Sequence, residues 1–464
     1  MLCVRGNAED FNNWATLGNP GWSYEDVLPY FIKLEDNRDK EIIESNPEYH
    51  GIGGYQSVQR FPYQDKNIKI VQEALQELSY KNPDINGKEQ LGSMILQTIT
   101  RDGQRKSTNK AFIQPIRNKR SNLFIETEAY VTKIIFDPIK KRTIGVEYTS
   151  TANSLKSAKV AYAKKEVISS AGSINSPKLL MLSGIGPAKD LKKLGIKVIA
   201  NLPVGKNMQD HVTFNGVLIP LHQTVTEKSF KHKQADLEEY LKTNTGPLSA
   251  TGAAAANLFT QTKYEEIDGV PDGQIFFLAK SSADVGTLQI RSYYDTLVAY
   301  MYLLAPKSRG YLKLNETDPI WGNPLIYPGY FKEDSDVQQA LELIRKTLEL
   351  FSTKSFKDNN YKLLDSPQAP CEHLTFNTDD YWICMMRNNT LPGYHQVGTC
   401  KMGPKEDPGA VVDPRLKVYG VQGLRVIDAA VMPNNTRGNT HTPTMMIAEK
   451  AADMIKEDWC AKEK

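Results

Sequence analysis

Two histidines in glycine-flanked turns are the residues of this chain best suited to chemistry. His395 lies in the segment 393–403 and His441 in the segment 438–443, and the chain has seven histidines in 464 residues. An imidazole gains and loses a proton near neutral pH, so His395 suits the abstraction of a hydroxyl proton. His441 can form a hydrogen bond to the same hydroxyl. Without further context, each could equally be a turn histidine that caps a backbone group.

Regular elements are expected on both sides of these turns. Residues 424–429 read as a β-strand, and residues 443–459 have the spacing of an amphipathic helix. Thr442 is a good N-cap for that helix and Pro443 a good first residue. The positive end of the helix dipole is therefore expected to face the turn of His441. The expected buried face of the helix consists of Met445, Met446, Ile447, Ala451 and Met454.

The remaining pattern predicts a mixed α/β protein. Further strands are predicted, in chain order, at residues 123–131, 133–136, 144–148 and 165–170. The first three read as a β-meander, with a polar turn at Asp137-Pro138 before the third. Pro177 is expected at the first position of a helix that runs over 178–182. A longer helix is expected over 336–350.

Composition excludes several classes of protein. The formal net charge is +3 and the basic clusters are short, which argues against a dedicated nucleic-acid binder. No run approaches the roughly 18 apolar residues of a membrane span. Of the five cysteines, Cys371 and Cys384 could pair, and an odd thiol would remain. A metal site at His395 and Cys400 lacks further ligands at a suitable spacing, so we expect no bound metal.

The segment 172–186 carries the strongest resemblance to a known family. It reads Gly-Ser-Ile-Asn-Ser-Pro-Lys-Leu-Leu-Met-Leu-Ser-Gly-Ile-Gly, which resembles the second signature of the glucose–methanol–choline (GMC) flavin oxidoreductases almost residue for residue. The turns of His395 and His441 agree with the same family. Further agreement, with the insect glucose dehydrogenase-like branch, lies at 5–7, 14–15, 19–24, 204–211 and 307–310. The resemblance is weakest over about 220–300.

The resemblance implies a domain organisation. Residues 1–211 would form part of an FAD-binding, Rossmann-like domain that includes the meander. Residues 212–389 would form a substrate-binding domain with an antiparallel sheet. Residues 390–464 would return to the FAD domain and carry the two histidines.

The resemblance also implies roles for single residues. His395 and His441 match the two catalytic positions of the family. Asp428 and Ala429 would run along the pyrophosphate and ribityl chain of FAD, although Asp428 could simply cap a strand end. Val131 would pair with the adenine through its backbone. Thr442 and Pro443 would also bind the cofactor, because their end of the helix would face the pyrimidine of the flavin.

The function implied is hydride transfer from the CH–OH group of an alcohol or sugar to FAD. A quinone-type acceptor or oxygen would then take the electrons. The Gly-rich turn G-x-G-x-x-G that would hold the FAD pyrophosphate is missing, and Met1 falls within the first family signature. The chain is therefore expected to be truncated and to bind FAD weakly by itself. The alternative is an inactive remnant that binds a ligand or a partner.

Family resemblance implies an extracellular or secreted protein, although no signal peptide is present. Sequons at residues 315–317, 388–390 and 434–436 support that only weakly.

Overall fold

The computed structural model describes residues 2–151, 158–282 and 291–460, which form helices and several small sheets around one large sheet. The α-helices are α1 Ala8–Thr16, α2 Tyr24–Leu34, α3 Lys40–Ser45, α4 Lys66–Glu77, α5 Gly172–Leu182, α6 Ala188–Lys193, α7 Phe230–Thr243, α8 Asp334–Glu349, α9 Lys354–Asp358, α10 Asp379–Asn388 and α11 His441–Cys460.

The strands are more numerous and mostly short. They are β1 Glu35–Asn37, β2 Gln56–Val58, β3 Gly92–Ile95, β4 Thr100–Arg101, β5 Gln104–Arg105, β6 Ala129–Phe136, β7 Thr143–Ser150, β8 Ala158–Tyr162, β9 Val167–Ser169, β10 Ile185–Gly186, β11 Ala200–Asn201, β12 Val212–Phe214, β13 Val217–Pro220, β14 Ala256–Thr260, β15 Gly273–Lys280, β16 Thr296–Leu303, β17 Tyr311–Lys313, β18 Leu325–Tyr327, β19 Thr390–Pro392 and β20 Leu424–Val426.

The large sheet is antiparallel and has the strand order β19-β12-β16-β15-β14-β3, with β13 also paired to β16. One face packs against α4, α8, α9 and α10 in a continuous apolar core. Side chains alternate between the two faces of a strand, so Tyr300 and Tyr302 of β16 project from the opposite face, together with Phe276 of β15. All three aromatic side chains are half-buried. The mixed α/β class with an antiparallel sheet is thus confirmed.

A second apolar core surrounds a short parallel pair of strands, β9 and β20. Helices α1, α2, α5 and α11 contribute to it, and the predicted buried face of α11 is confirmed, since its five residues are buried. A meander does form in the predicted region, as the antiparallel sheet β6-β7-β8, but its third strand β8 was not predicted. The large sheet also takes in β3, which lies outside the range 212–389.

Several predicted element bounds were wrong. Residues 123–128 are not in a strand, and the two expected strands at 123–131 and 133–136 are one strand, β6, with a bulge between Val131 and Lys133. The strand expected over 424–429 ends at Val426, because Asp428 caps a short 3₁₀ turn over Ala429–Val431 instead. The long helix α8 begins two residues before its predicted start.

Helix α5 differs from the prediction in an informative way. It begins at Gly172, so Pro177 lies inside the helix and not at its first position. Proline has no N–H, so the carbonyl of Ser173 lacks its usual partner within the helix. The hydroxyl of Thr399 donates to that carbonyl at 2.7 Å. The Ser-Pro pair that is typical of a helix start thus lies inside this helix. A hydroxyl from another segment of the chain replaces the backbone hydrogen bond that the proline cannot make.

Candidate active site

The turn of His395 interrupts an antiparallel ladder at the edge of the large sheet. Strands β12 and β19 pair up to Val212 and Pro392, and the ladder resumes where Gln209 and Val397 exchange two backbone hydrogen bonds. Between these points the Gly393 N–H donates to the His211 carbonyl at 2.6 Å. A Cβ at Gly393 would lie 2.7 Å from that carbonyl oxygen, so only glycine fits there.

Asp210 fixes the backbone of this turn. Its buried carboxylate accepts hydrogen bonds from the His395 N–H at 2.7 Å, the Gln396 amide at 2.8 Å and the Tyr330 hydroxyl at 2.6 Å. Burial raises the pKa of Asp210 to about 6, although the three donors act to lower it. The neighbouring Tyr394 is 81% exposed and has a positive φ of 58°, a conformation that is uncommon for a bulky non-glycine residue.

Both ring nitrogens of His395 have partners. Its Nδ1 lies 2.9 Å from Nδ1 of His211, and its Nε2 lies 3.1 Å from the amide nitrogen of Asn439. The ring of Tyr302 is 6.3 Å away, centroid to centroid. Burial lowers the pKa of His395 to about 4. The imidazole is therefore neutral at pH 7 and one of its nitrogens carries no proton.

The turn before α11 brings the second histidine to this region. Arg437 anchors that turn through ion pairs of 2.7 Å with Asp10 and with Glu265. Asn435 donates to the His395 carbonyl at 3.1 Å, and Asn439 reaches the His395 ring. His441 follows two residues later. The structure thus places the segments of both predicted histidines side by side, but the direct contact of the His395 ring is with Asn439.

The expected cap of α11 was wrong by two residues. The helix begins at His441, so Thr442 and Pro443 are its second and third residues, and the Thr440 carbonyl accepts from the Thr444 N–H. Thr442 is buried and its hydroxyl lies 3.8 Å from the sulfur of Cys3. Loss of hydration lowers the pKa of His441 to about 4 even though its side chain is exposed. The start of the helix still brings the positive end of its dipole to His441.

Asp428 and Ala429 connect the histidine turn to helix α5. The Asp428 carboxylate accepts from the Gly172 N–H at 2.9 Å, from the Ser176 hydroxyl at 2.5 Å and from the Ala430 N–H at 2.8 Å. The Ala429 carbonyl accepts from the Gly398 N–H, three residues beyond His395. The side chain of Asp428 is therefore a cap, the alternative that the sequence left open.

Val131 lies at a separate cavity of about 580 Å³. The meander, the end of β9 and the start of α5 form its walls, which include Val131, Ser170, Ala171, Asn175 and Lys178. Ala171 is adjacent to Gly172, whose N–H binds Asp428. The structure thus connects the predicted segments by contacts: Ala171 at the Val131 cavity precedes Gly172, which binds Asp428, and Ala429 binds Gly398 beyond His395.

Comparison with known proteins identifies the family. Two family models described as GMC oxidoreductase match the chain, one over residues 1–213 and the other over residues 306–448. The glucose dehydrogenase [FAD, quinone] of Drosophila pseudoobscura pseudoobscura is 39% identical over 468 residues, covering 100% of this chain and 73% of the relative. The chain belongs to the GMC oxidoreductases.

Other GMC relatives differ in the substrates that their names state. The ecdysone oxidase of Bombyx mori is 34% identical, with 99% of this chain and 68% of the relative covered. Among solved structures, an FAD-dependent oxidoreductase from Chaetomium thermophilum superimposes with a TM-score of 0.83 at 26% identity, covering 99% of this chain and 84% of that one. This GMC oxidoreductase is therefore an enzyme of the oxidoreductase class.

The residues of this GMC protein fit the elongated FAD that the sequence resemblance implies. Gly172 has a positive φ of 85° and nothing within 4 Å of the position of a Cβ, so the turn before α5 opens onto free space. The hydroxyl of Ser173 is buried there without a hydrogen-bond partner among the described residues. In that fit the adenine would lie at the Val131 cavity and the flavin near the start of α11.

Three residues of the site were not predicted from the sequence. His211 and Asp210 stand in a segment that carries the family resemblance, and Asn439 is two residues from His441, so motif position could have indicated all three.

Within the described ranges, no group of three or more His, Cys, Asp or Glu side chains is placed to hold a metal ion. No helix over those residues is both long enough and apolar enough to cross a membrane. Cys371 and Cys384 are joined in a disulfide.

Proposed function

We propose that this protein is an FAD-dependent dehydrogenase that oxidises the CH–OH group of an alcohol or sugar, with His395 as the group that accepts the hydroxyl proton. FAD, when bound, would supply the electron sink for a hydride from the substrate carbon, and a quinone-type molecule or oxygen would be the final acceptor. The observation that carries the proposal is the neutral, fully anchored His395 beside the start of α11. Val131, Asp428, Ala429, Thr442 and Pro443 would line the path of the cofactor.

His395 has the properties that proton transfer from a hydroxyl requires. It is neutral at pH 7, because burial lowers its pKa to about 4. Its backbone is fixed by Asp210 and Asn435, so the ring is held in one position. His441 and the Asn439 amide can hold the substrate oxygen while its proton moves to the imidazole. The substrate carbon then loses a hydride and becomes a carbonyl carbon. The two electrons leave with the hydride, and the hydroxyl proton is on the imidazole.

The open face of the large sheet supports a substrate with a ring or an apolar body. Tyr302 and Phe276 have ring centroids 6.3 Å apart, and Tyr302 is also 6.3 Å from His395. Tyr300 lies directly opposite Phe276 in the strand register. Flat aromatic side chains bind the faces of sugar rings and of apolar ring systems. The substrate class we propose is a ring-bearing or apolar alcohol, or a sugar.

Single-turnover kinetics test the role of His395. FAD-loaded protein is mixed with alcohols and sugars without oxygen, and the loss of flavin absorbance is followed. His395→Ala is expected to slow flavin reduction by roughly 10²–10⁴-fold with FAD content unchanged, because proton transfer by a positioned base contributes a factor of that size. His441→Asn is expected to be far milder, since asparagine keeps a hydrogen-bonding group.

The exposed His373 provides a matched control, and His373→Ala should leave the rate unchanged. A variant His395→Ala that loses FAD but reduces its remaining flavin at the wild-type rate would remove His395 from the reaction. It would show instead that this residue supports cofactor binding.

We also propose that the protein works in an extracellular or other oxidising compartment. The Cys371–Cys384 disulfide supports this, because such bonds persist mainly outside the cytosol. Thiol alkylation of protein taken directly from its source, before and after reduction, provides the test. Labelling of Cys371 and Cys384 before reduction would show a reducing compartment and contradict the proposal.

A further inference from the structure

His211 is a buried histidine with one polar contact of hydrogen-bond length from its side chain. Its Nδ1 lies 2.9 Å from Nδ1 of His395, and the two rings meet edge to face with an interplanar angle of 79°. The side chain is completely buried. A contact of this length between two ring nitrogens is a hydrogen bond in which one nitrogen carries the proton and the other accepts it.

Both imidazoles are neutral, so the contact has two possible polarities. Burial lowers the pKa of His395 to about 4 and that of His211 well below its usual range. Each ring then carries one proton. Either His395 donates from Nδ1 and keeps Nε2 bare, or His211 donates and His395 carries its proton on Nε2.

The surroundings of His395 Nε2 favour the first polarity. The Asn439 amide nitrogen lies 3.1 Å from Nε2, and an amide nitrogen can only donate. Reversing the amide would place its two N–H groups where the Asn439 oxygen now lies buried without a partner. A buried donor without an acceptor costs more than a carbonyl with an unused lone pair.

The far side of His211 favours the same polarity. Its Nε2 is buried and makes no hydrogen bond of normal geometry within the described chain. Backbone groups of Thr436 and Leu304 act to raise the pKa of His211, as carbonyl oxygens near a ring N–H do. Carbonyl oxygens only accept, so they favour a proton on the His211 nitrogen that faces them. That leaves Nδ1 of His211 bare and able to accept from His395.

We propose that His211 is a positioning residue that holds His395 with its proton on Nδ1, so that Nε2 is bare and can take the hydroxyl proton of the substrate. The substrate hydroxyl replaces the Asn439 amide at Nε2, and that amide is then free to bind the substrate oxygen. The proton balance is closed within the site, because the hydroxyl proton ends on Nε2 while the original proton stays on Nδ1, bonded to His211. The role of His211 in the reaction rests on the proposed function, whereas its hydrogen bond to His395 does not.

Nitrogen NMR spectra test the tautomer directly, without any substrate. The chain has seven histidines, so ¹⁵N-histidine-labelled protein gives a small set of ring signals that variants at His395 and His211 can assign. Wild-type protein is expected to show the His395 proton on Nδ1. His211→Leu removes the acceptor and should shift the tautomer population toward Nε2–H. His211→Gln keeps an acceptor oxygen and should restore the wild-type population.

Flavin reduction should follow the tautomer. We expect a loss of about 10–10²-fold for His211→Leu, less than for removal of the base itself, and substantial recovery in His211→Gln. A purely structural role would not produce this pattern of spectral change and rescue. The His373→Gln variant controls for the general effect of replacing a histidine.

A wild-type spectrum with the His395 proton on Nε2 would overturn the proposal, as would an unchanged tautomer in His211→Leu. The wild-type spectrum is decisive even if His211→Leu does not fold. These failures differ from failure of the proposed function, which is shown by a full rate of flavin reduction in His395→Ala.

Discussion

His395 is anchored through its backbone and both ring nitrogens. The N–H binds Asp210, the carbonyl binds Asn435, and the ring binds His211 and Asn439. The sequence predicted catalytic roles for His395 and His441 because their motif context is specific, and these roles stay predictions. It did not identify the His211 contact, since these residues are 184 positions apart and no spacing rule connects them.

The Asp210 carboxyl gives a prediction at the residue scale. Its pKa is raised to about 6 by burial, above the value near 4 expected in the unfolded chain. Its contribution to stability is therefore fully present below about pH 4 and is lost as the pH rises through 6. Asp210→Asn should remove that decrease in the free energy of unfolding between pH 4 and 6.5. Urea unfolding at both pH values measures the effect.

The same variant should slow flavin reduction about tenfold at pH 7, because an amide cannot accept all three donors that now bind the carboxylate. The exposed Asp380→Asn serves as the control for a change of charge. A pH dependence of unfolding equal in Asp210→Asn and in wild type would show that this carboxyl does not titrate differently in the folded protein.

At the scale of elements, helix α5 shows where sequence signals mislead. Pro177 after Ser176 is typical of a helix start, yet the helix begins five residues earlier at Gly172. The structure tolerates the proline because Thr399, four residues beyond His395, binds the carbonyl that Pro177 leaves free. Strand β6 shows a related limit, since a bulge at residue 132 does not end the strand. Local patterns predicted that these elements exist, but contacts from distant segments set their bounds.

The Thr399 contact gives a prediction for α5. Thr399 is completely buried, and Thr399→Val should lower the free energy of unfolding by about 1–3 kcal/mol, because the Ser173 carbonyl loses its donor. In a Pro177→Ala background the alanine N–H can bind that carbonyl, so the same substitution should cost clearly less. Denaturant unfolding of the four proteins in this double-mutant cycle provides the measurement. Equal costs in both backgrounds would contradict the account of α5.

At the scale of the whole molecule, a buried charge cluster joins distant parts of the chain. His50 lies 3.0 Å from Glu35 and 2.7 Å from Asp84, and Arg5 pairs with Glu35 at 2.8 Å. All four side chains are almost entirely buried. Burial acts to lower the pKa of His50, but the bonds to Asp84 and Glu35 outweigh it and raise the pKa to about 9.

This cluster predicts a loss of stability at alkaline pH. The folded-state pKa of His50 lies above its ordinary value of 6.5, so the stabilisation is fully present below about pH 6.5 and is lost as the pH rises through 9. We expect the free energy of unfolding to fall by about 1–3 kcal/mol over that interval. His50→Gln should be less stable at pH 7 and should lack this part of the dependence. His373→Gln should behave like wild type.

The sequence predicted the fold class, but not how the chain closes into one molecule. Strand β3 joins the large sheet beside β14, more than 150 residues away, and Arg437 links the turn before α11 to Asp10 and Glu265. Such pairings depend on the complete packing and leave no periodic signal. Motif resemblance predicted the site residues because the motifs belong to related chains in which that packing has already formed.

Anaerobic reduction of the bound flavin by a carbinol-deuterated substrate is the sharpest test of alcohol oxidation with His395 as the base. The FAD-loaded protein is mixed with a ring-bearing alcohol or a sugar, with hydrogen or deuterium on the carbon that bears the hydroxyl. We expect complete loss of oxidised-flavin absorbance, slower with deuterium, and slower again by roughly 10²–10⁴-fold in His395→Ala. Flavin that stays oxidised with every alcohol and sugar, in protein that holds FAD, would contradict it.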